Sequence, residues 1–245
     1  MKLSGWGNYP VIDTNIFCPS SKEELIKSIK HGKFIVRGNG RSYGDSSINS
    51  NMTIDIRGFN KFLEFNSKTG LLVTQSGVLL ADVIDIFLPK GWFPSVTPGT
   101  KFVTVGGMFA ADVHGKNHHK HGSFSSFVDW IDIITSEAKI IRCSRNKNKD
   151  IFNWTIGGMG LTGIILNVAF RLKPITTSWI KKKVIPANNI KETIKIFETN
   201  LKSTYSVAWI DCLAKKNNLG RSLIILGEHA NETDLKENQK NKSLI

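Results

Sequence analysis

The pattern of apolar and polar positions near residue 20 predicts the first helix of the chain. Ser21 and Glu24 have the spacing of a capping box, in which each side chain accepts a hydrogen bond from the other residue's backbone N–H. Before Gly32 ends the pattern, apolar residues recur at helical spacing: Leu25, Ile26 and Ile29. We therefore expect a helix that begins after Ser21 and ends before Gly32.

Further apolar runs predict a mixture of strands and helices. β-Branched and aromatic residues dominate the runs that we predict as strands, at 33–36, 52–56, 61–65, 71–75, 127–135, 139–143, 162–173, 179–185, 205–212 and 223–226. Of these, 127–135 and 139–143 are expected to form a hairpin. Helical spacing is found at 79–88 and 189–200, and a short helix is expected within 103–111. Because strands and helices do not alternate strictly, the predicted fold class is α+β rather than a doubly wound sheet.

The composition changes near Pro174, directly after a long predicted strand. We place a domain boundary there, with a larger first domain at 1–174 and a second domain at 175–245. The second segment contains too few elements for a full domain, and from Asn231 it is almost wholly polar. We therefore expect it to be the start of an α+β domain that is incomplete in this chain.

The overall composition is that of a globular protein, with 245 residues, 40% hydrophobic and 22% charged. The net charge of +13 suits nucleic acid, an anionic membrane surface or a phosphorylated ligand, but also an ordinary lysine-rich surface. The basic residues are spread along the chain, and no nucleic-acid module is recognisable. We therefore expect no nucleic-acid partner, while peripheral contact with a membrane stays open.

Cysteines and apolar runs give an expectation about the compartment. Cys18, Cys143 and Cys212 lie far apart and form no C-x-x-C pair, which favours reduced thiols and a cytoplasmic setting. The N-terminus lacks the apolar segment of a signal peptide, and no run approaches the roughly 20 residues that cross a bilayer.

Glycine-rich segments carry most of the chemical information. Gly38, Gly40 and Gly44 directly follow a predicted strand, where successive backbone N–H groups can approach a phosphate; an ordinary tight turn is the alternative. No G-x-x-x-x-G-K-[ST] motif is present. The stretch 158–163 matches G-x-G-x-x-G, but a predicted strand follows it where a Rossmann fingerprint needs a helix.

A histidine-rich segment at 114–122 suggests either a metal site or a cationic loop. His114 and His118 are four residues apart, but the segment contains no carboxylate or cysteine, and its two lysines would repel a cation. We therefore predict no metal. A hydrogen-bonding loop beside a polyanionic cofactor is favoured, and a merely exposed polar loop is the remaining alternative.

Taken together, these segments resemble the vanillyl-alcohol-oxidase/p-cresol-methylhydroxylase (PCMH-type) family of flavoproteins. The resemblance lies in RGNGRSYGD at 37–45, TPGT at 97–100, VTVGG at 103–107, DVHGKNHH at 112–119, GSF at 122–124 and GGMGLTGI at 157–164. It also includes the segments 5–7, 209–211 and 219–221. The resemblance implies a two-subdomain PCMH-type FAD-binding domain, followed here by a truncated substrate domain, since family members are about twice as long.

The resemblance also implies FAD as the cofactor. The residues expected to bind it are Arg37, Gly38, Asn39, Gly40, Arg41, Ser42, Tyr43, Gly44, Gly99, Thr100, Thr104, Gly106, Gly107, His114, Asn117, His118, Gly160, Thr162 and Ile164. Those at 38–44 would surround the diphosphate, those at 100–107 would line a channel, and those at 160–164 would contact the adenine end. Relatives with covalent FAD have a histidine where this chain has Tyr43, so non-covalent binding is expected.

The implied reaction is hydride transfer from a secondary alcohol of a sugar to flavin N5, with His114, Lys116 and Tyr43 as the catalytic candidates. The most similar branch of the family oxidises the 2′-hydroxyl of a polyprenyl-phosphate ribose, which would place the protein at the inner face of a membrane. One alternative is an aldonolactone oxidase of the D-arabinono-1,4-lactone type. Another is a flavin-binding fragment or subunit that needs a separate C-terminal half or a reductase partner.

Overall fold

The computed structural model describes residues 1–237; residues 238–245, the end of the polar run, lie outside the described residues. Its N-terminal layer contains a short antiparallel pair, β1 (Lys2–Ser4) and β2 (Val11–Asp13). A parallel sheet follows in the order β3–β5–β4, built from β3 (Asn15–Phe17), β4 (Ile35–Arg37) and β5 (Met52–Asp55). Helix α1 (Lys22–Ser28) packs on this layer through the fully buried Leu25.

An antiparallel sheet of six strands forms the centre of the molecule. Its strands are β6 (Phe62–Asn66), β7 (Leu71–Gln75), β8 (Trp92–Pro94), β9 (Val128–Ile134), β10 (Ile140–Ser144) and β11 (Ile164–Pro174). Their order is β10–β9–β11–β7–β6, and β8 pairs with the C-terminal end of β11. The long β11 is therefore the strand on which the central sheet is assembled.

Four helices accompany the central sheet: α2 (Leu80–Phe87), α3 (Val105–Ala110), α4 (His118–His121) and α5 (Lys149–Thr155). Helix α2 buries one face, because apolar residues at helical spacing contact the main core. Phe109 of α3 and Phe152 of α5 are fully buried, with ring centroids 5.3 Å apart. These aromatic contacts hold α3 between the sheet and the segment that leads into β11.

A separate antiparallel sheet follows β11. It has the order β12–β14–β13 and consists of β12 (Ile180–Ala187), β13 (Tyr205–Ile210) and β14 (Ser222–His229). Helix α6 (Ile190–Thr199) covers one face, where Ile224 and Leu226 are buried. The opposite face has no helix packed on it within the described residues, and Trp209 and Leu223 are exposed there.

The structure confirms the predicted α+β class and the predicted hairpin, which is the β9–β10 pair. The predicted helices and strands are present with ends shifted by a few residues, whereas β1, β2, β3, β8, α4 and α5 were not predicted. The capping box was half wrong. The Ser21 hydroxyl does accept the Glu24 N–H, but the Glu24 carboxylate accepts from the N–H of Ser20 instead of Ser21.

The segment after residue 163 also agrees with the sequence prediction, because it is strand β11 and not a helix. This excludes a Rossmann-type turn at 158–163. Within residues 1–237, no helix combines the length and the apolar character that a membrane span requires.

Candidate FAD site

A cleft lies between the glycine loop after β4 and helix α3. It encloses about 830 Å³ of empty space, its open mouth included. The residues that line it come from distant parts of the chain: Val36, Gly38, Asn39, Gly40, Arg41, Ser42, Ser46, Ser47, Ile56, Ser76, Val103, Thr104, Gly106, Gly107, Ala110, Ala111, Val113, Met159, Gly160, Gly163 and Ile165.

The glycine loop has a conformation that larger residues would disturb. Gly40 has a φ of +62°, and a Cβ there would lie 2.1 Å from Nη2 of Arg37. A Cβ on Gly38 would lie 2.3 Å from Oγ1 of Thr104, at the start of α3. The absence of side chains thus lets the loop pack closely on both of its supports while its backbone faces the cleft.

Hydrogen-bond donors in this loop are left for a ligand. Within residues 1–237, the backbone N–H groups of 39–44 donate no hydrogen bond to the protein. Arg41 and Ser76 line the cleft, and Nε of Arg41 and Oγ of Ser76 are buried without a hydrogen-bond partner among residues 1–237. Because an unpaired buried donor is costly, such an arrangement suits a ligand rich in acceptor oxygens, as a diphosphate is. The residues present therefore fit the diphosphate of FAD.

Around the loop, other contacts fix its position. Arg37 donates to the carbonyl of Ser4 at 2.8 Å and to Oγ of Ser47 at 3.2 Å. Burial lowers the pKa of Arg37, and Asp55 opposes that shift. The guanidinium of Arg41 lies over the Trp6 ring, 5.0 Å from its centroid. The N-terminal residues thus cover the outer side of the loop.

The opposite wall of the cleft is the beginning of α3, which contributes shape rather than free donors. The Thr104 hydroxyl accepts the Gly107 N–H at 3.2 Å, and the Gly106 N–H bonds to the carbonyl of Ser76 at 2.8 Å. A Cβ on Gly106 would lie 2.6 Å from Cβ of Ser76. These glycines therefore allow α3 to lie close to the strand end at Ser76, which narrows the cleft.

The structure brings nine of the predicted cofactor residues together along the cleft: Gly38, Asn39, Gly40, Arg41, Ser42, Thr104, Gly106, Gly107 and Gly160. Arg37 lies beneath the loop, and Tyr43 is 75% exposed at its outer end, next to Gly44. Gly99 and Thr100 lie on the loop before α3, where the Thr100 hydroxyl accepts the Phe102 N–H at 3.2 Å.

Two predicted residues at the adenine end have side chains turned to other partners. Oγ1 of Thr162 lies 2.9 Å from Oγ1 of Thr155, and the Ile164 side chain is fully buried in the core beneath the first layer. Neither lines the cleft. Contact with a ligand at these positions would involve the backbone, and the open Gly160, with a φ of +78°, is the nearby residue that does line it.

The histidine-rich segment forms the short helix α4 and the loop before it. His114, Lys116 and His118 are exposed and do not line the cleft, and the rings of His114 and His118 are 5.3 Å apart. Asn117 is fully buried, with Nδ2 bonded to the carbonyl of Ser95 at 2.8 Å and to Nδ1 of His121 at 2.9 Å. In the described part of the chain, no three histidine, cysteine, aspartate or glutamate side chains are grouped so as to bind a metal ion.

Several cleft residues were not predicted from the sequence, among them Ser76, Ile165 and Met159. Ser76 follows β7, and its carbonyl anchors α3, but nothing in its immediate sequence distinguishes it from other strand-end serines. The related sequence signal is Gly106, because its close approach to Ser76 leaves no room for a Cβ.

Comparison with protein families assigns the cofactor. Residues 14–144 match the family described as "FAD binding domain". The chain belongs to this family. FAD is therefore its cofactor, in agreement with the unpaired donors and the glycine-lined cleft. The matched region includes the glycine loop and α3, which line the cleft, and also the histidine-rich segment.

Three curated relatives match most of this chain in sequence. The decaprenylphosphoryl-β-D-ribose oxidase of Mycolicibacterium smegmatis is 33% identical over 239 residues, which is 94% of this chain and 52% of the relative. The L-gulonolactone oxidase of Bos taurus is 23% identical over 83% of the chain and 47% of the relative. The D-arabinono-1,4-lactone oxidase of Candida glabrata is 26% identical over 76% and 35%. The chain thus spans about half the length, or less, of these relatives.

Proposed function

We propose that this chain is the FAD-binding part of an oxidoreductase that oxidises a secondary alcohol of a sugar, with the 2′-hydroxyl of a polyprenyl-phosphate ribose as the substrate group. The observation that carries the proposal is the 33% identity to a decaprenylphosphoryl-β-D-ribose oxidase along 94% of this chain. The cleft supports it, since its free donors match the cofactor that the family binds.

The chain's own residues have distinct roles in this proposal. The N–H groups of 39–44 and Nε of Arg41 would hold the diphosphate through hydrogen bonds. FAD binding would be non-covalent, because the phenol of Tyr43 cannot form the histidyl link that is expected where a histidine stands at this position. FAD, when bound, supplies the acceptor for the hydride of the alcohol carbon. His114 and Lys116 would provide donors and positive charge where negative charge develops, and Tyr43 is the third catalytic candidate.

The second candidate is an aldonolactone oxidase, which the similarity to the two lactone oxidases favours. These matches are lower in identity and shorter along the chain than the match to the ribose oxidase. Tyr43 and the HGKNHH sequence at 114–119 also favour the polyprenyl-phosphate type. We therefore rank the aldonolactone oxidase as the second candidate function.

The arrangement of domains follows from the same proposal. We propose 1–174 as the FAD-binding domain and 175–245 as the beginning of the substrate domain. The ribose oxidase is about twice as long as this chain. The partner that we propose is a separate C-terminal half or a reductase. A location in the cytoplasm at the inner face of the membrane suits a polyprenyl-phosphate substrate and a net charge of +13.

The cofactor part of the proposal is tested by adding FAD to the purified chain and recording its absorption and fluorescence. We expect saturable binding, and release of all the FAD into solution on acid denaturation. Arg41→Gln should weaken binding because it removes the unpaired Nε donor, whereas Lys90→Gln, on the far side of α2, should bind FAD normally. Flavin that stays with the acid precipitate would contradict the non-covalent assignment.

The substrate part is tested by anaerobic bleaching of the FAD-loaded protein. A polyprenyl-phosphoryl ribose should bleach it, and D-arabinono-1,4-lactone should not. We expect His114→Ala or Lys116→Ala to slow bleaching by about 10²-fold while FAD stays bound. Bleaching by the lactone alone would favour the second candidate. Bound FAD that neither compound reduces would support a flavin-binding subunit that is inactive without a partner polypeptide.

A further inference from the structure

A chain of three polar side chains joins the end of the central sheet to the second sheet. Nζ of Lys173, on β11, donates to the Tyr205 hydroxyl at 2.7 Å, and that hydroxyl lies 3.0 Å from Nε2 of His229. The Lys173 ammonium also lies 5.1 Å from the centroid of the Tyr205 ring, and the His229 ring packs edge-on against Phe93. None of these residues lines the cleft.

The direction of these two hydrogen bonds determines which ring nitrogen of His229 has the proton. A protonated Lys173 has no lone pair, so the Tyr205 hydroxyl must donate its proton to Nε2 of His229. The neutral imidazole then has its proton on Nδ1. Nδ1 of His229 is buried and has no partner in the described residues. Neutral Lys173, by contrast, could accept from Tyr205, which would let His229 donate from Nε2 and leave Nδ1 without a proton.

Burial and the neighbouring charges bring the loss of the Lys173 proton into an accessible pH range. Burial lowers the pKa of Lys173 to about 8; Glu228 opposes the shift and Lys120 adds to it. Burial and then Lys173 lower the pKa of His229 to about 4, against Glu228. Burial and then Glu228 raise the pKa of Tyr205 to about 12. His121, on α4, is a further titratable neighbour of Lys173, and burial and then Lys173 lower its pKa as well.

Strand β13, which contains Tyr205, and the residues just before it also contact the histidine-rich segment. The Ser206 N–H donates to the carbonyl of Lys116 at 2.9 Å, and Nε2 of His119 lies 2.8 Å from the carbonyl of Ser203. Nζ of Lys120 donates to the carbonyl of Lys202 at 3.0 Å and to the hydroxyl of Thr204 at 3.2 Å. The segment 202–206 is therefore the support on which residues 116–120 rest.

We propose that Tyr205, held between Lys173 and His229, is a positioning residue for the loop at 114–120, and that the hydrogen bonds through its hydroxyl reverse direction when Lys173 loses its proton. The role of that loop in catalysis rests on the proposed function. The hydrogen-bond reversal does not, because it involves only residues of this chain and can be observed without FAD or substrate.

The test is ¹⁵N NMR of the His229 ring in the full chain across a pH titration. We expect the proton to move from Nδ1 to Nε2 with a midpoint near pH 8, where Lys173 titrates. Lys173→Met should abolish the transition because it removes the group whose loss of a proton drives the reversal. Lys173→Arg, which keeps its charge, should abolish it as well and serves if the Met variant does not fold. A constant tautomer in the native chain, or the same transition in a folded variant, would overturn the proposal.

The positioning role is tested by hydrogen exchange of the Ser206 amide. We expect Tyr205→Phe to speed this exchange roughly fivefold, the factor for loss of one typical hydrogen bond. The amide of Val83, inside α2, is the internal control and should not change. If Ser206 exchanges at the native rate in Tyr205→Phe, Tyr205 does not position the loop, whatever the protein's reaction proves to be.

Discussion

At the scale of single residues, the glycine loop shows how two equivalent backbone positions differ in what surrounds them. Gly40 and Gly44 both have a φ of +62°, which an L side chain adopts at a cost of about 1–2 kcal/mol. A Cβ on Gly44 has nothing within 4 Å, whereas one on Gly40 would lie 2.1 Å from Nη2 of Arg37. The two positions therefore separate the cost of backbone strain from the cost of crowding.

We predict that Gly44→Ala lowers stability by about 1–2 kcal/mol through backbone strain alone. Gly40→Ala should cost about 1 kcal/mol more, because Arg37 must move away and lose its hydrogen bond to Ser4. Urea unfolding of both variants measures the difference, and FAD titration shows whether the loop still binds. Equal stabilities would mean that Arg37 relaxes at no cost.

At the scale of secondary-structure elements, one carboxylate joins three strands of the central sheet. Asp132 of β9 accepts from Nε of Arg142 at 2.8 Å on β10 and from Nδ2 of Asn167 at 3.0 Å on β11. The Arg142 guanidinium stacks on Trp130, 3.5 Å from the ring centroid. Burial alone would raise the pKa of Asp132, but hydrogen bonds from Arg142 and Asn167 outweigh it and lower that pKa.

We predict that Asp132→Asn destabilises the protein by about 1–2 kcal/mol at neutral pH, a range reduced because Arg142 is half exposed. Since the pKa of Asp132 is lowered on folding, its contribution is complete above the ordinary value of 3.8 and is lost as the pH falls below it. The difference in free energy of unfolding between the native chain and the variant should therefore disappear in acid. Urea unfolding at several pH values measures it.

The control for this prediction is Asp129→Asn. Asp129 pairs with Arg171 at 2.6 Å, but both side chains are substantially exposed, at 31% and 47%. We expect it to cost less than about 1 kcal/mol, as exposed ion pairs do. If both variants lose the same free energy of unfolding, the contacts by which Asp132 joins three strands stabilise the protein no more than an exposed ion pair does.

At the scale of the whole molecule, the second sheet presents an apolar face to solvent. Trp209 and Leu223 are directly opposite each other on β13 and β14, and they are 70% and 46% exposed. Apolar faces of this kind favour association between molecules. The net charge of +13 opposes that association at low ionic strength, and salt screens this repulsion.

We predict that the isolated chain self-associates more strongly as salt is added, and that Trp209→Lys reduces this association. Trp154→Lys is the matched control, because Trp154 is 66% exposed but lies on α5, away from the second sheet. Sedimentation at low and high salt measures the effect. Equal behaviour of the two variants would show that association does not use the open face.

Local sequence was enough to predict much of this molecule. The apolar spacing of α2 and α6 and the β-branched runs of β7, β9 and β11 identified those elements, because helices and strands place their buried side chains at periods that neighbouring residues reveal. The glycine loop was recognisable for a similar reason: its conformation and its free donors belong to one continuous segment, 37–45.

Long-range packing decided the rest. Ser76 and Ile165 line the cleft because β7 and β11 pair across the central sheet, and no local spacing encodes that contact. The short strands β1 and β8 exist only through their partners, so their sequences lack a strand signal of their own. Lys173, Tyr205 and His229 likewise meet only after two sheets have folded, since hydrogen bonds join atoms that are close in space rather than in sequence.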